Sequence, residues 1–187
     1  MAFISHLDEK KHIRSTTVIA VRHRGKSAIG ADGQVTLDDT VIKTSADKLR
    51  ELGDGKVVVG FAGGAADALT LFDRFEDKLK AYPKDVRRAA VELAKDWRLD
   101  RALRRLEALL VAATKKNLFL IGGNGDIIEP DDGVLAVGSG APYATAAARA
   151  LIRHCPKMSA GDIVSESLKI ASEICIYTNE QIRIIEL

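Results

Sequence analysis

Hydrophobic positions along this chain come in two spacings, and their order predicts the architecture. Thr17 to Arg22 reads as a strand, Gly25-Lys26 as a turn and Ser27 to Gly30 as the returning hairpin partner. Ala31-Asp32-Gly33-Gln34 is a second turn, and Thr40 to Lys43 a further short strand. Lys48 falls in a polar, charged segment that ends at Gly53-Asp54-Gly55. Lys56 to Ala62 is a β-branched apolar run, predicted as a buried strand, which breaks at Gly63-Gly64.

The period then changes. Leu69, Phe72, Phe75 and Leu79 recur at helical spacing until Tyr82-Pro83. A second helix points Val86, Ala90, Leu93 and Trp97 inward, with Lys95, Arg98, Arg101, Arg104 and Arg105 outward as a solvated or subunit-facing surface. Strands resume at Leu109 to Thr114 and Leu118 to Ile121. Asn124-Gly125 signals a type I′ hairpin returning through Ile127-Ile128. Val134 to Val137 is broken by Gly138-Ser139-Gly140, and a helix follows from about Pro142 to His154. Ser159 and Asp162 resemble a capping box for a last helix through Ile163, Leu168, Ile170 and Ile174, with Gln181 to Ile185 as a final strand.

The order is strands, two helices, strands, two helices, with hairpins inside each strand block. Hairpins mean antiparallel pairing, and apolar sheet faces need helices to cover them. The expected class is α+β: a four-layer αββα sandwich of two stacked antiparallel sheets. Residues 1–15 are polar and charged without a usable period and read as a removable leader, leaving 16–187 as one domain.

Composition narrows the function. At 187 residues, 47% hydrophobic and 29% charged, the chain can bury a sizeable core. A net charge of +2, from 28 basic and 26 acidic residues interleaved along helices, gives no footprint for nucleic acid. No apolar run approaches the roughly 18 residues of a membrane span, and Asp8, Glu9, Lys10 and Lys11 interrupt any signal-peptide core. Cys155 and Cys175 form neither a CxxC nor a disulfide framework, and no zinc signature is present. A cytoplasmic protein is expected, without membrane or nucleic-acid partners.

The candidate chemistry begins at Ser15-Thr16-Thr17, where the charged leader meets the first strand. A threonine hydroxyl is a poor nucleophile without a base beside it. An internal amide nitrogen cannot serve, because its lone pair is delocalised into the carbonyl. Cleavage before Thr16 would supply a free α-amine with a pKa of roughly 7.7–8.0. Taken alone, the same two threonines read better as the opening of an ordinary strand. Gly138-Ser139-Gly140 is neither a GxGxxG loop, since position 143 is Tyr, nor a GxSxG elbow, since position 137 is Val.

Several stretches together carry a family resemblance. They are Thr16-Thr17-Val18, Ala31-Asp32-Gly33-Gln34, Gly60 to Ala68, Ala90 to Arg98, Gly138 to Ala144, and Ile174 to Asn179. In this order and spacing the chain resembles the HslV family. These are the peptidase subunits of bacterial HslVU-type proteases, counterparts of proteasome β-subunits among the N-terminal nucleophile hydrolases. The resemblance implies a threonine endopeptidase. Thr16 would be the nucleophile with its own amine as base, and Asp32 and Lys48 a buried acid–lysine pair. Gly63 would be the oxyanion donor, and Ser139 would hold the amine and its proton.

It further implies a monovalent cation, sodium by preference, on the carbonyls of Ser172, Cys175 and Thr178. Two stacked six-membered rings are implied too, forming a homo-dodecamer, with an AAA+ unfoldase, HslU, that feeds unfolded polypeptides using ATP. No Walker A sequence is present, so the ATP would belong to the partner. Self-cleavage of the leader is expected. Departures are Ala31 and Ser172, where the family has glycine, and Ser15 before the nucleophile. Two alternatives stay open: a silent ring subunit that keeps its leader, and an N-terminal nucleophile amidase acting on a small amide.

Overall fold

The computed structural model describes residues 13–14, 16–63, 65–101, 103, 108–122 and 125–187. The expectations for residues 1–12, Ser15, Gly64, Arg104, Arg105 and Asn124 lie outside the described residues.

Strands β2 (Thr17–His23) and β3 (Lys26–Ala31) form the predicted hairpin. With β11 (Val134–Gly138) and β12 (Arg183–Glu186) they make a four-stranded sheet in the order β11-β2-β3-β12. The second sheet has five strands, β10-β9-β8-β7-β6. They are β6 (Leu49–Leu52), β7 (Val57–Gly63), β8 (Ala108–Ala113), β9 (Leu118–Gly122) and β10 (Ile127–Ile128). All pairings are antiparallel.

Pleating explains why these strands read as continuous apolar runs. Successive side chains of β2 point to opposite faces. Val18 and Ala20 enter a core shared with Val58, Val111 and Ala113 of the other sheet. Ile19 and Val21 instead meet helices α3 (Ala141–His154) and α4 (Ala160–Ile174), among them Ala144, Ile163 and Leu168. On the five-stranded sheet, Val57, Val59, Leu110 and Ala112 face α1 (Ala65–Ala81) and α2 (Val86–Leu99), through Phe75, Leu93 and Trp97. Both sheets are therefore buried on both faces, and the order of layers is αββα as expected.

The caps agree with the sequence. Ser159 Oγ accepts the Asp162 N–H at 3.0 Å, and Pro142 lies in the first turn of α3. Three details differ. Leu69 is 50% exposed, and the buried stripe of α1 runs through Ala68, Leu71, Phe72, Phe75 and Leu79. A ladder of threes drifts about 60° per step around a helix, so Leu69 rotates out of the core. Ile174, the last residue of α4, is likewise 54% exposed. The polar stretch before Gly53 contains β6, an edge strand that buries only Leu49 and Leu52 and so shows no alternation.

A third, small sheet was not anticipated: β1 (Ile13–Arg14), β4 (Val35–Leu37) and β5 (Thr40–Lys43), in the order β1-β4-β5. Within the stretch expected to be a leader, Ile13 pairs opposite Leu37 and Arg14 opposite Thr36.

Candidate active site

Strand register assembles the site at the start of β2. Val18 is opposite Ala31, so the residue after β3, Asp32, arrives beside Thr17. The two are joined both ways: Thr17 N–H donates to Asp32 Oδ1 at 2.7 Å, and Asp32 N–H to the Thr17 carbonyl at 3.2 Å. Gly138 is opposite Thr17, so Ser139 arrives beside Thr16 and its N–H donates to the Thr16 carbonyl at 3.0 Å.

The glycines of Gly138-Ser139-Gly140 are required by this approach. A Cβ on Gly138, whose φ is +98°, would stand 1.8 Å from the Thr16 carbonyl oxygen. One on Gly140 would stand 2.4 Å from Thr17 Oγ1. The two sheets bring in the next residue. Gly60 of β7 has no side chain where a Cβ would meet Val18 at 2.6 Å, and it pairs with Leu49, the neighbour of Lys48.

Lys48 Nζ lies 2.8 Å from the same Asp32 oxygen that receives Thr17 N–H. Asp32 Oδ2 accepts from the Gln34 N–H at 2.9 Å and the Asn179 N–H at 3.4 Å. A buried carboxylate is tolerable only when its lone pairs are filled in this way. Burial pulls the Lys48 ammonium below its ordinary pKa, while the charge of Asp32 and its hydrogen bond pull the other way.

Thr16 is 1% exposed, and its Oγ1 is buried without a hydrogen-bond partner. Its φ of +132° is foreign to a β-branched residue. Such a backbone costs on the order of 1–3 kcal/mol. A hydroxyl left unpaired on a strained peptide is unusual enough in a packed interior to call for a functional explanation.

Of the residues singled out in the sequence, Thr16, Asp32, Lys48 and Ser139 meet here, Ser139 through its backbone. Gly63 ends β7 with a φ of +140°, two residues before α1 begins at Ala65. Ser172, Cys175 and Thr178 lie in the last turn of α4 and just beyond it. The Cys175 carbonyl accepts the Thr178 N–H at 3.0 Å, which leaves its second lone pair. The last carbonyls of a helix lack intrahelical donors and sit at its negative end. Neutral carbonyl oxygens there fit a hard, singly charged cation. No group of three or more His, Cys, Asp or Glu able to hold a metal occurs among the described residues.

Thr17, Gln34 and Asn179 carry no role in the sequence reading. Thr17 Oγ1 lies 2.7 Å from Thr178 Oγ1 and accepts the Gly140 N–H at 3.0 Å. Gln34 Nε2 donates to the Ile176 carbonyl at 2.7 Å. These partners are more than a hundred residues apart, and only their presence in the matched stretches could have flagged them.

An αββα sandwich with a threonine, an acid and a lysine gathered at the head of its first long strand is the construction of an N-terminal nucleophile hydrolase. The chain belongs to the proteasome subunit family, whose model matches residues 13–187. It is 58% identical over 172 residues to the "ATP-dependent protease subunit HslV" of Amoebophilus asiaticus (strain 5a2), covering 92% of this chain and 96% of that one. A relative of the same description from Pseudothermotoga lettingae is 58% identical over 174 residues, covering 93% and 98%. Among solved structures, a eukaryotic HslV from Trypanosoma brucei superposes with a TM-score of 0.86 at 44% identity, over 91% of this chain and 98% of that chain.

Proposed function

We propose that this chain is the threonine-type peptidase subunit of a proteasome-like, ATP-dependent protease, with Thr16 as its N-terminal nucleophile. The observation that carries the reading is the unpartnered, buried Thr16 hydroxyl, one residue from the Thr17 N–H that donates to the Lys48-paired Asp32, in a chain of this family.

The leader must first leave. Attack of Thr16 Oγ1 on the Ser15 carbonyl would transfer the acyl group to oxygen. That shift breaks the Ser15–Thr16 C–N bond and frees the α-amine, with strain at Thr16 favouring it. Water then hydrolyses the ester to release the leader's carboxylate and restore the Thr16 hydroxyl. In the mature chain the amine takes the hydroxyl proton as Oγ1 attacks a peptide carbonyl. The oxyanion is met by the Gly63 N–H ahead of α1, where the helix dipole favours negative charge. Collapse breaks the C–N bond, and the departing amine receives the proton. Water then hydrolyses the Thr16 ester and restores hydroxyl and amine. Lys48, charged and placed by Asp32, lowers the cost of alkoxide on Thr16. Ser139 holds the amine.

Unfolded polypeptides are the proposed substrates, delivered by the AAA+ unfoldase HslU at the expense of its ATP to a homo-dodecamer of two six-membered rings. The relatives' description as ATP-dependent supports this. A sodium ion on the carbonyls of Ser172, Cys175 and Thr178 would steady the turn after α4 and takes no part in bond making. No described helix is long and apolar enough to cross a membrane. The two cysteines are free, in keeping with the cytoplasm as the proposed compartment.

The test is the N-terminus and intact mass of the purified chain, with peptide hydrolysis by the parent and Thr16→Ala. A start at Thr16 and hydrolysis lost in the variant are expected. A retained leader with no hydrolysis would favour a silent ring subunit, and unchanged hydrolysis in Thr16→Ala would refute the nucleophile.

A further inference from the structure

Asp32 and Lys48 come from two irregular loops, 32–34 and 44–48, and neither has a strand ladder to fix it. The loops press directly together. Ala46 N–H donates to the Gly33 carbonyl at 2.8 Å, and a Cβ on Gly33 would stand 2.5 Å from the Thr44 carbonyl oxygen. One side chain joins them. Asn179 Oδ1 accepts the Gly33 N–H at 3.2 Å, and Asn179 Nδ2 donates to the Thr44 carbonyl at 2.9 Å. The same Oδ1 accepts the Gln181 N–H at 3.1 Å, which anchors the bridge to its own segment.

We propose that Asn179 is a positioning residue for catalysis: its amide fixes the loop carrying Asp32 against the loop leading to Lys48, and so sets where the Lys48 ammonium sits.

The chemistry selects asparagine. The task needs one acceptor and one donor on opposite arms of a short planar group. Aspartate would present an oxygen to the Thr44 carbonyl, and leucine would offer neither contact. The orientation of the amide follows from its partners, because two N–H groups face one arm and a carbonyl the other. A second clamp lies further along the same segment. Arg183 pairs with the Asp47 carboxylate and donates to the Leu49 carbonyl at 3.4 Å, gripping Lys48 from both sides in sequence. The stretch after α4 therefore holds Lys48 by its two neighbours and Asp32 by the next residue.

The inference rests on Thr16 being the nucleophile. Its test is kinetic, on the full chain, with rates normalised to the fraction of chains that mass spectrometry shows starting at Thr16. Asn179→Ala is expected to lower kcat about ten- to a hundredfold, since small misplacements far from the reacting atoms cost that much. KM should stay within about twofold. In a Lys48→Arg background the same change should cost no more than about threefold, because the placement it protects is already lost.

Asn179→Asp is isosteric and keeps the Gly33 contact, which guards against a simple folding defect. It should also lose kcat, because the Thr44 contact is gone. An unchanged kcat in Asn179→Ala, full activity in Asn179→Asp, or an equal loss in both backgrounds would overturn the proposal. If Thr16→Ala keeps hydrolysing peptide, the nucleophile assignment fails instead.

Discussion

Lys48 and Asp32 form an ion pair sealed from solvent: Nζ stands 2.8 Å from Oδ1, and the two side chains are 2% and 0% exposed. Removing two charges from water costs more than an apolar pair of the same volume would, so such a pair is poor value as a fold stabiliser. Its place beside the Thr17 N–H is the ground for the catalytic role proposed for it.

Breaking the pair should therefore hurt twice. Asp32→Asn or Lys48→Met strands one buried charge, at a cost of about 3–5 kcal/mol. The double variant should recover most of that stability and none of the activity. Urea unfolding beside peptide hydrolysis separates the two effects; a double variant no more stable than the singles would contradict this account.

Stability should also carry a pH signature. Burial depresses the Lys48 pKa from 10.5, more than Asp32 restores it. Between the lowered folded value and 10.5 the unfolded chain binds more protons than the folded one, so stability rises with pH there. The contribution is complete only above 10.5 and is lost as pH falls through the folded value. The parent's Tm should gain on that of the Asp32→Asn/Lys48→Met variant as pH rises from about 8 to about 10. A constant difference would show that burial does not strain the lysine.

The glycines around Thr16 should tolerate nothing larger. Gly138→Ala places a methyl against the Thr16 carbonyl at 1.8 Å and forces a side chain onto a φ of +98°. Overpacking of this kind costs about 1–3 kcal/mol or more. It should also abolish hydrolysis by displacing Thr16, read as lost activity with a lowered Tm. Gly25→Ala is the control: its φ is +77° but nothing lies within 4 Å of the added Cβ, so activity should survive.

The Thr17–Thr178 hydroxyl pair should show up in stability. Thr178→Val leaves Thr17 Oγ1 with only the Gly140 N–H. Thr17→Val strands that N–H and the Thr178 hydroxyl together. Each unsatisfied buried group costs about 1–3 kcal/mol, so Thr17→Val should be the more damaging in thermal unfolding.

Much of the fold was legible because burial on both faces writes itself into composition. Strand β7 and the apolar runs of β8 and β9 could be read from β-branched and aliphatic stretches alone, and the helices from their period. What escaped was structure without such a signature. Edge strand β6 buries only its two ends, and β4 is only three residues long; β5 is legible as Thr40 to Lys43, but its pairing with β4 is not. Leu69 was misplaced because spacing of three is shared by two neighbouring helical faces.

The sequence by itself determined the layer order, the hairpins and the family, since these follow from local periodicity and from motifs that survive in linear order. It also marked Thr16, through the junction of leader and first strand as well as resemblance, and Asp32 and Lys48 through resemblance alone. Only the tertiary structure decided that Asp32 Oδ1 serves Lys48 and Thr17 together, that Thr16 Oγ1 is left unpaired, and that Asn179 ties two loops 146 and 135 positions away. Hydrogen bonds between distant loops depend on strand register and sheet stacking, which place chain ends within ångströms of one another and leave no periodic trace in the residues they join.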